Sequence, residues 1–396
     1  MTEHGSKLAA LAPPRVGPYR SEAFESPLHA TRTAAWLGLA LGVTFTVCFA
    51  TGLLSHLIQH PPSWFSWPAR PANLYGVTQG VHVTTGIASI PLLLAKLWTV
   101  YPRFWTWPPL RSLAHLVERV SLLPLVGGSL FLLFTGVGSI ARWFPWDFSF
   151  PAAHYAASWI TIGALIVHVG AKVTTIRLAL RRGGEAIDEP EPPSAGRTRL
   201  SRRGFLTAAF GAAGALVVAT VGQTLRPLAP LAVLAPRDPR VGPQGLPVNK
   251  TADSAGVIDA ATDPAYRLVV DGNVASPMSL SLDDLRSMPQ HEADLPITCV
   301  DGWSASGRWR GVTVRDLLVA AGAPATAEVR VSSIQTRGPY RNAVVSAAHV
   351  ADPHTMLALE LNGEPLHLDH GFPTRLIGPN RPGVMNTKWV GRVEVR

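Results

Sequence analysis

A chain of 396 residues with 47% hydrophobic and only 15% charged residues is too apolar for an ordinary soluble enzyme. The formal net charge of +9 suggests nucleic acid at first, but the basic residues cluster beside apolar windows, so no nucleic-acid partner is expected. Two cysteines, Cys48 in an apolar window and Cys299 in a polar region, exclude a disulfide framework.

Residues 1–32 read as a polar cytoplasmic tail. Asp, Glu, Lys and Arg are then absent from 33–69, 71–95, 120–141, 148–171 and 204–225, each longer than the roughly 20 apolar residues that cross a bilayer. The first four windows predict a four-helix transmembrane bundle over 33–180. Residues 181–203, rich in Pro and acidic residues, read as a cytoplasmic linker, 204–225 as a fifth anchoring helix, and 226–256 as an extended outer linker held open by its prolines. From 257 to 396 the texture changes to short strands with normal charge. YRLVVDGNV, EVRVSSI, MLALELNG and KWVGRVEV read as strands, SLDDLRSM and TVRDLLVAAG as short capped helices. The expected architecture is therefore a membrane all-α part followed by an α+β domain. Lys7, Arg15, Arg20 and Arg32, then Lys96, Arg103, Arg111 and Arg119, then eight basic residues between Lys172 and Arg203 lie on one side, against Arg70 and Arg142 on the other. This asymmetry predicts a multi-pass cell-membrane protein with a cytoplasmic N-terminus and an extracytoplasmic C-terminal domain.

Histidines within membrane windows point to a ligand or a proton path. His154 and His168 lie fourteen residues apart in the fourth span, nearly four whole turns, so both face one side about 21 Å apart. His82, at the outer end of the second span, is level with His154 and predicts an imidazole pair around an outer haem. For an inner haem, His168 would pair with His29 or His115, with His29 preferred. Lys96 stands fourteen residues after His82, where a second ligand would otherwise lie. His56 is a further haem or quinone candidate. Thr51-Gly52 and Thr135-Gly136 form a weak internal repeat across the first and third spans. The pattern resembles the transmembrane cytochrome b subunits of formate dehydrogenase and hydrogenase, which implies two b-type haems and a membrane quinone or quinol as partner.

The stretch TRLSRRGFLTAAFGAAGALVV, beginning at Thr198, has the layout of a twin-arginine export signal, and it implies the twin-arginine machinery as a partner for the domain that follows. In that domain, LPITCVDGWSASGRWRGVTVRDLL from Leu295 resembles the sulfite-oxidase family of molybdenum enzymes. Cys299 occupies the position of the metal-ligating cysteine, followed by Trp309 to Val312 and Asp316 to Leu318. The resemblance implies a molybdopterin cofactor, Cys299 as thiolate ligand, and His370, Arg375, Asn386, Lys388 and Trp389 as residues holding the pterin and its phosphate. Tyr340 is the expected substrate-pocket residue, and Arg308 (or Arg310) the expected cation facing an anionic substrate. Asp301-Gly302-Trp303-Ser304 replaces the Asn-Arg-rich stretch of sulfite oxidases proper, and the Cys-x-x-x-Trp spacing is closer to the methionine-sulfoxide reductase branch. The expected function is electron exchange between quinone, haems and a molybdenum centre, with reduction of a sulfoxide-type or other small oxo-substrate. The alternatives are a sulfite-type dehydrogenase feeding quinone and a metal-free electron conduit or interaction protein.

Overall fold

The computed structural model describes residues 17–19, 24, 26–105, 107, 113–181 and 201–396. Most of the N-terminal tail and of the linker at 181–203 lies outside these residues, as does the side chain of His115. Five helices dominate the first part: α1 (Thr31–Gln59), α2 (Leu74–Val100), α3 (Leu113–Ala141), α4 (Phe150–Leu180) and α5 (Arg202–Thr220). Each contains a stretch long and apolar enough to cross a membrane.

The chain divides into two compact units whose border differs from the expected domain boundaries. One comprises residues 1–52 and 82–219, the other 53–81 and 220–396. The last seven residues of α1, the loop after it and the first two turns of α2 thus fold with the C-terminal residues. Within the helical unit, Leu37 and Leu41 of α1 and Leu92 and Leu93 of α2 pack with Ala209 and Ala213 of α5. The two alanines, four residues apart, present a small-residue stripe that lets helices approach closely. The expected fifth anchor is therefore an integral part of this packing.

The second unit continues with the short helices α6 (Ala252–Ala255) and α7 (Ile258–Thr262), then two sheets. One runs β2-β1-β10-β5-β6, built from β1 (Leu268–Gly272), β2 (Met278–Leu280), β5 (Val329–Ser333), β6 (Asn342–Val345) and β10 (Val390–Val395). The other runs β3-β4-β7-β8, with β9 (Arg375–Ile377) beside β7; its members are β3 (His291–Thr298), β4 (Ser304–Thr313), β7 (Met356–Leu361) and β8 (Glu364–Pro365). Among these strands β1 and β10 pair in parallel and the other ladders are antiparallel. Helices α8 (Leu282–Ser287), α9 (Val314–Ala320) and α10 (Ala347–Ala351) complete it. The capping reading holds: Ser281 and Asp284 form a reciprocal capping box on α8, and Thr313 Oγ1 accepts from Asp316 N at 3.0 Å on α9.

Strand β7 shows how the core is organised. Leu357 and Leu359 join the main core with Val270, Val312, Leu317, Val331 and Val393, whereas Met356 and Ala358 join a second core with Leu295, Ile297, Cys299 and Trp309. The period-2 alternation of a strand buried on both faces separates the two.

Residues 226–250 are not the extended tether expected from their prolines. They form two 3-10 turns at Arg226–Leu231 and Pro243–Gly245 and lie on the domain as a strap. Leu246 is fully buried in the second core, the Gln244 Nε2 amide donates to Leu361 O and Pro365 O at 3.1 and 3.0 Å, and Pro243 O lies 2.7 Å from His370 Nε2. Proline removes donors but not carbonyls, so a Pro-rich segment can dock through its acceptors. Leu246→Ala should lower stability by about 2–5 kcal/mol, read as a fall in thermal midpoint of the purified full-length protein. A strap that contributes nothing would leave the midpoint unchanged.

Candidate functional site

Cys299 ends the segment after β3 and is buried. Its sulfur accepts the Asn249 Nδ2 amide at 2.8 Å and the Asp301 backbone N–H at 3.4 Å. The same Asn249 amide nitrogen donates to Asp301 Oδ2 at 2.8 Å, and Asn249 Oδ1 accepts from Trp303 Nε1 at 3.1 Å and Arg237 Nη1 at 2.8 Å. N–H donors converging on sulfur favour its thiolate form. Asn249 comes from the strap, and nothing in its local sequence signals this role.

Around the thiol lies a set of buried cations. Arg375 on β9 is 4% exposed, stands with its guanidinium 5.3 Å from the centre of the Trp309 ring, and donates from Nη1 to His370 O at 3.2 Å. Lys388 Nζ donates to Lys250 O at 2.9 Å and Asp369 O at 2.6 Å, above the ring of Trp389. Both cations interact electrostatically with Cys299. Burial pulls Arg375 down to about 10; burial, then the neighbouring Arg375, pull Lys388 down to about 7. His370 is pulled down to about 4, by burial first and Arg375 second. Asn386 Oδ1 accepts from Gly378 N at 3.2 Å. Arg375 Nε, Asn386 Nδ2, Trp309 Nε1 and Thr387 Oγ1 are buried without a hydrogen-bond partner among the described residues. Burying cationic and amide donors without partners is costly, so this cradle suits an anionic, acceptor-rich group.

Tyr340 stands at φ 61 between β5 and β6, and its hydroxyl is raised by burial, then by Asp301 and Cys299. It belongs with the thiol. Trp389 does not reach the cradle directly: it is buried with Ala252, Val257 and Ala261, its indole N–H donates to Leu368 O at 2.8 Å, and it backs Lys388. Arg308 is a correction. Alternation along β4 buries Ala305, Gly307 and Trp309 and turns Arg308 and Arg310 to the opposite, exposed side, where they pair with Glu292 at 3.7 Å and Glu360 at 3.1 Å. Arg381, by contrast, is fully buried, donates to Val344 O and Met385 O, and was not singled out from the sequence.

In the helical unit the rings of His82 and His154 come together, centroids 6.3 Å apart. His82 Nδ1 donates to Cys48 O at 2.9 Å and lies 3.2 Å from Thr51 Oγ1. His154 Nδ1 lies 2.8 Å from Thr135 Oγ1, whose own proton goes to Phe131 O at 2.8 Å. That hydroxyl therefore accepts and places the His154 proton on Nδ1, as the Cys48 carbonyl does for His82, so the lone pair of each ring is on Nε2; Cys48 Sγ lies 3.9 Å from that of His82. A Cβ at Gly52 would stand 3.0 Å from His82 Cε1, and one at Gly136 would stand 3.6 Å from His154 Cε1. The Thr-Gly repeat thus seats one histidine in each half. His29, in the 3-10 turn Pro27–His29, stacks on Trp98 at 4.5 Å with Nδ1 3.1 Å from Thr99 O. His168 lies half-buried on α4, Lys96 donates to Ala34 O at 2.5 Å, and His56 stacks on His60 at 4.7 Å.

Residues 255–396 match the oxidoreductase molybdopterin binding domain. This part of the chain is a molybdopterin-binding oxidoreductase domain. The chain is 34% identical to mouse mitochondrial sulfite oxidase over 161 residues, which cover 34% of this chain and 30% of that protein. For human mitochondrial sulfite oxidase the figures are 33% over 162 residues, with the same coverages. It is also 32% identical over 138 residues to YedZ1 of Azospira oryzae, named as a protein-methionine-sulfoxide reductase subunit, covering 35% of this chain and 50% of that one. The chain thus matches no more than half the length of these relatives. In the molybdopterin domain the cradle around Cys299 fits the cofactor: a soft sulfur donor beside buried cations with spare donors.

Removing Asn249 strips four hydrogen bonds from the domain. Asn249→Ala should therefore destabilise it by about 1–3 kcal/mol, and Asn249→Asp, which turns a carboxylate toward Asp301 and the sulfur, should cost more. Thermal unfolding of both variants checks the order; Asp no worse than Ala would remove the donor role.

Proposed function

We propose that the chain is a membrane-bound molybdenum-dependent oxidoreductase that exchanges electrons between the quinone pool, two b-type haems and a molybdopterin centre, and reduces a sulfoxide-type or other small oxo-substrate. The observation that carries this reading is the buried cationic cradle beside Cys299, with its unpartnered donors. When bound, the molybdenum centre supplies two-electron oxo transfer. The chain's own residues would do the rest. Cys299 offers the soft ligand, and Asn249 and the Asp301 amide hold its sulfur. Arg375, Lys388 and Asn386 hold the anionic pterin group, with His370 beside them. Tyr340 faces the substrate. The Asp301 carboxylate near the thiol and the outward turn of Arg308 and Arg310 both favour an uncharged substrate over an anion. The match to mouse and human sulfite oxidases favours the second reading, a sulfite-type dehydrogenase passing electrons to quinone.

For the haems, His82 and His154 are the pair that would hold one of them, supported by their Nδ1-protonated tautomers, since a metal-bound histidine is held by a hydrogen bond from its other nitrogen. His168 would hold the second haem with His29, the alternative being His115, and His56 is a further candidate for the outer haem or a quinone site. The C-terminal domain lies outside the cytoplasm, and Arg202-Arg203 at the start of α5 suits export of a folded, cofactor-loaded domain by the twin-arginine machinery.

Metal analysis of the purified protein should give about one molybdenum per chain, and Cys299→Ser should abolish turnover while keeping the haem spectrum; a ratio near zero would end the enzyme reading. Dithionite-reduced haem should be reoxidised by an added sulfoxide, whereas haem reduction by sulfite would establish the second reading. The two glycines give a sharper test of the haem pair. Gly52→Ala drives a methyl against His82 and should lose much of the outer haem's reduced-minus-oxidised absorbance, whereas Gly136→Ala, at ordinary contact distance, should keep it. Equal spectra for the two would remove this ligand assignment.

A further inference from the structure

Residues 53–81 dock on the molybdopterin domain through polar contacts. Trp67 Nε1 donates to Asn380 O at 2.9 Å, Asn380 Nδ2 to Pro68 O at 2.7 Å, Asn380 N to Ala72 O at 3.1 Å, and Tyr75 N to Asn380 Oδ1 at 2.7 Å. Arg70 pairs twice with the carboxylate of Asp352, at 2.7 and 3.1 Å. The first turns of α2 then lie on the loop that carries the thiol. Gln79 Nε2 donates to Val300 O at 3.1 Å, and a Cβ on Gly76 would stand 3.1 Å from Thr298 Oγ1.

This placement brings a connected set of hydroxyls and amides to the site. Tyr75 is 1% exposed and interacts electrostatically with Cys299, Asp301 and Tyr340. Its hydroxyl lies 3.1 Å from Ser55 Oγ; Ser55 Oγ and Ser55 O accept from Gln59 Nε2 at 3.2 and 3.1 Å; Gln59 Oε1 accepts from Tyr340 at 3.5 Å. Two phenols, from distant parts of the chain, are thus joined through Ser55 and Gln59, and both interact electrostatically with the thiol. When Ser55 donates to the Tyr75 oxygen, the phenolic proton of Tyr75 is left for a ligand.

We propose that the α1–α2 hairpin supplies one wall of the substrate pocket at Cys299, in which Tyr75, held by Ser55 and Gln59, binds the oxygen of a small uncharged S=O substrate opposite Tyr340. The inference rests on the reading of Cys299 as the metal ligand. It adds a binding surface from outside the residues that match the molybdopterin family. A sulfoxide oxygen is a strong acceptor that needs donors, and a wall carrying an acidic neighbour at Asp301 disfavours an anion in the same place.

The test uses the full-length holoprotein in detergent, with dimethyl sulfoxide as probe. Tyr75→Phe should keep wild-type molybdenum and haem content, raise KM about tenfold, as expected for one lost hydrogen bond, leave kcat nearly unchanged, and alter the exchangeable-proton coupling in the Mo(V) electron paramagnetic resonance signal. Gln59→Ala, which loosens Ser55 and removes the acceptor of Tyr340 but leaves the Tyr75 phenol in place, should raise KM less. Wild-type KM and an unaltered resonance signal in both variants would overturn the proposal. A wild-type protein that holds molybdenum yet turns over sulfite alone would overturn the substrate class, whereas a wild-type protein without molybdenum would instead remove the reading on which the proposal rests.

Discussion

The carboxamide of Asn249 is saturated: its two N–H bonds go to Cys299 and Asp301, and its two lone pairs take Trp303 and Arg237. An amide whose whole capacity is satisfied has a single allowed orientation. The geometry of the thiol loop depends on it, because Asp301 and Trp303 are tied to the amide that holds the sulfur. Its position depends in turn on the strap, pinned by Leu246 in the core and by the side chain of Gln244. A segment outside the residues matched to the family thus sets the environment of Cys299.

Beside this saturated amide, the cradle is unsatisfied. Arg375, Arg381 and Lys388 are buried or nearly so, and several donors around them have no partner among the described residues. Such an arrangement is poor for stability when empty and good for holding an anion, so binding and folding are linked: a group that binds only the folded domain stabilises it in proportion to the logarithm of its excess over the dissociation constant. The two histidines of the helical unit follow the opposite logic. Each has its proton fixed by an oxygen on the preceding helix, so their orientation is set before any ligand arrives.

Much of this was legible in the sequence because it rests on periodicity and composition. The five apolar helices, the capped α8 and α9, the strands and the juxtaposition of His82 with His154 follow from charge-free windows, capping residues and helical spacing. The Thr-Gly repeat was visible, but its purpose was not, since only packing shows that Gly52 makes room for the imidazole of His82. Arg308 was misplaced because a tryptophan between two arginines reads equally well as a pocket or as a strand with one buried face; the alternation of β4 decides. The strap failed for a different reason. Prolines forbid regular structure, which says nothing about whether the segment packs, and Asn249 has no local pattern around it. Tyr75 and Gln59 lay within apolar windows assigned wholly to membrane crossing, and no one-dimensional signal announces that a helix changes partners along its length.

That change of partner has a consequence for assembly. The unit that contains Cys299 is discontinuous, made from residues 53–81 and from residues 220–396, with three helices synthesised in between. Its closing contacts are therefore of high contact order and form late, after the hairpin has waited for the rest of the chain to emerge. Until Asn380 meets Trp67 and Tyr75, the thiol loop lacks its cover. A site assembled from two segments so far apart in sequence is finished only when both are in place, so a copy in which residues 53–81 fail to reach Asn380 would leave the thiol loop without that cover.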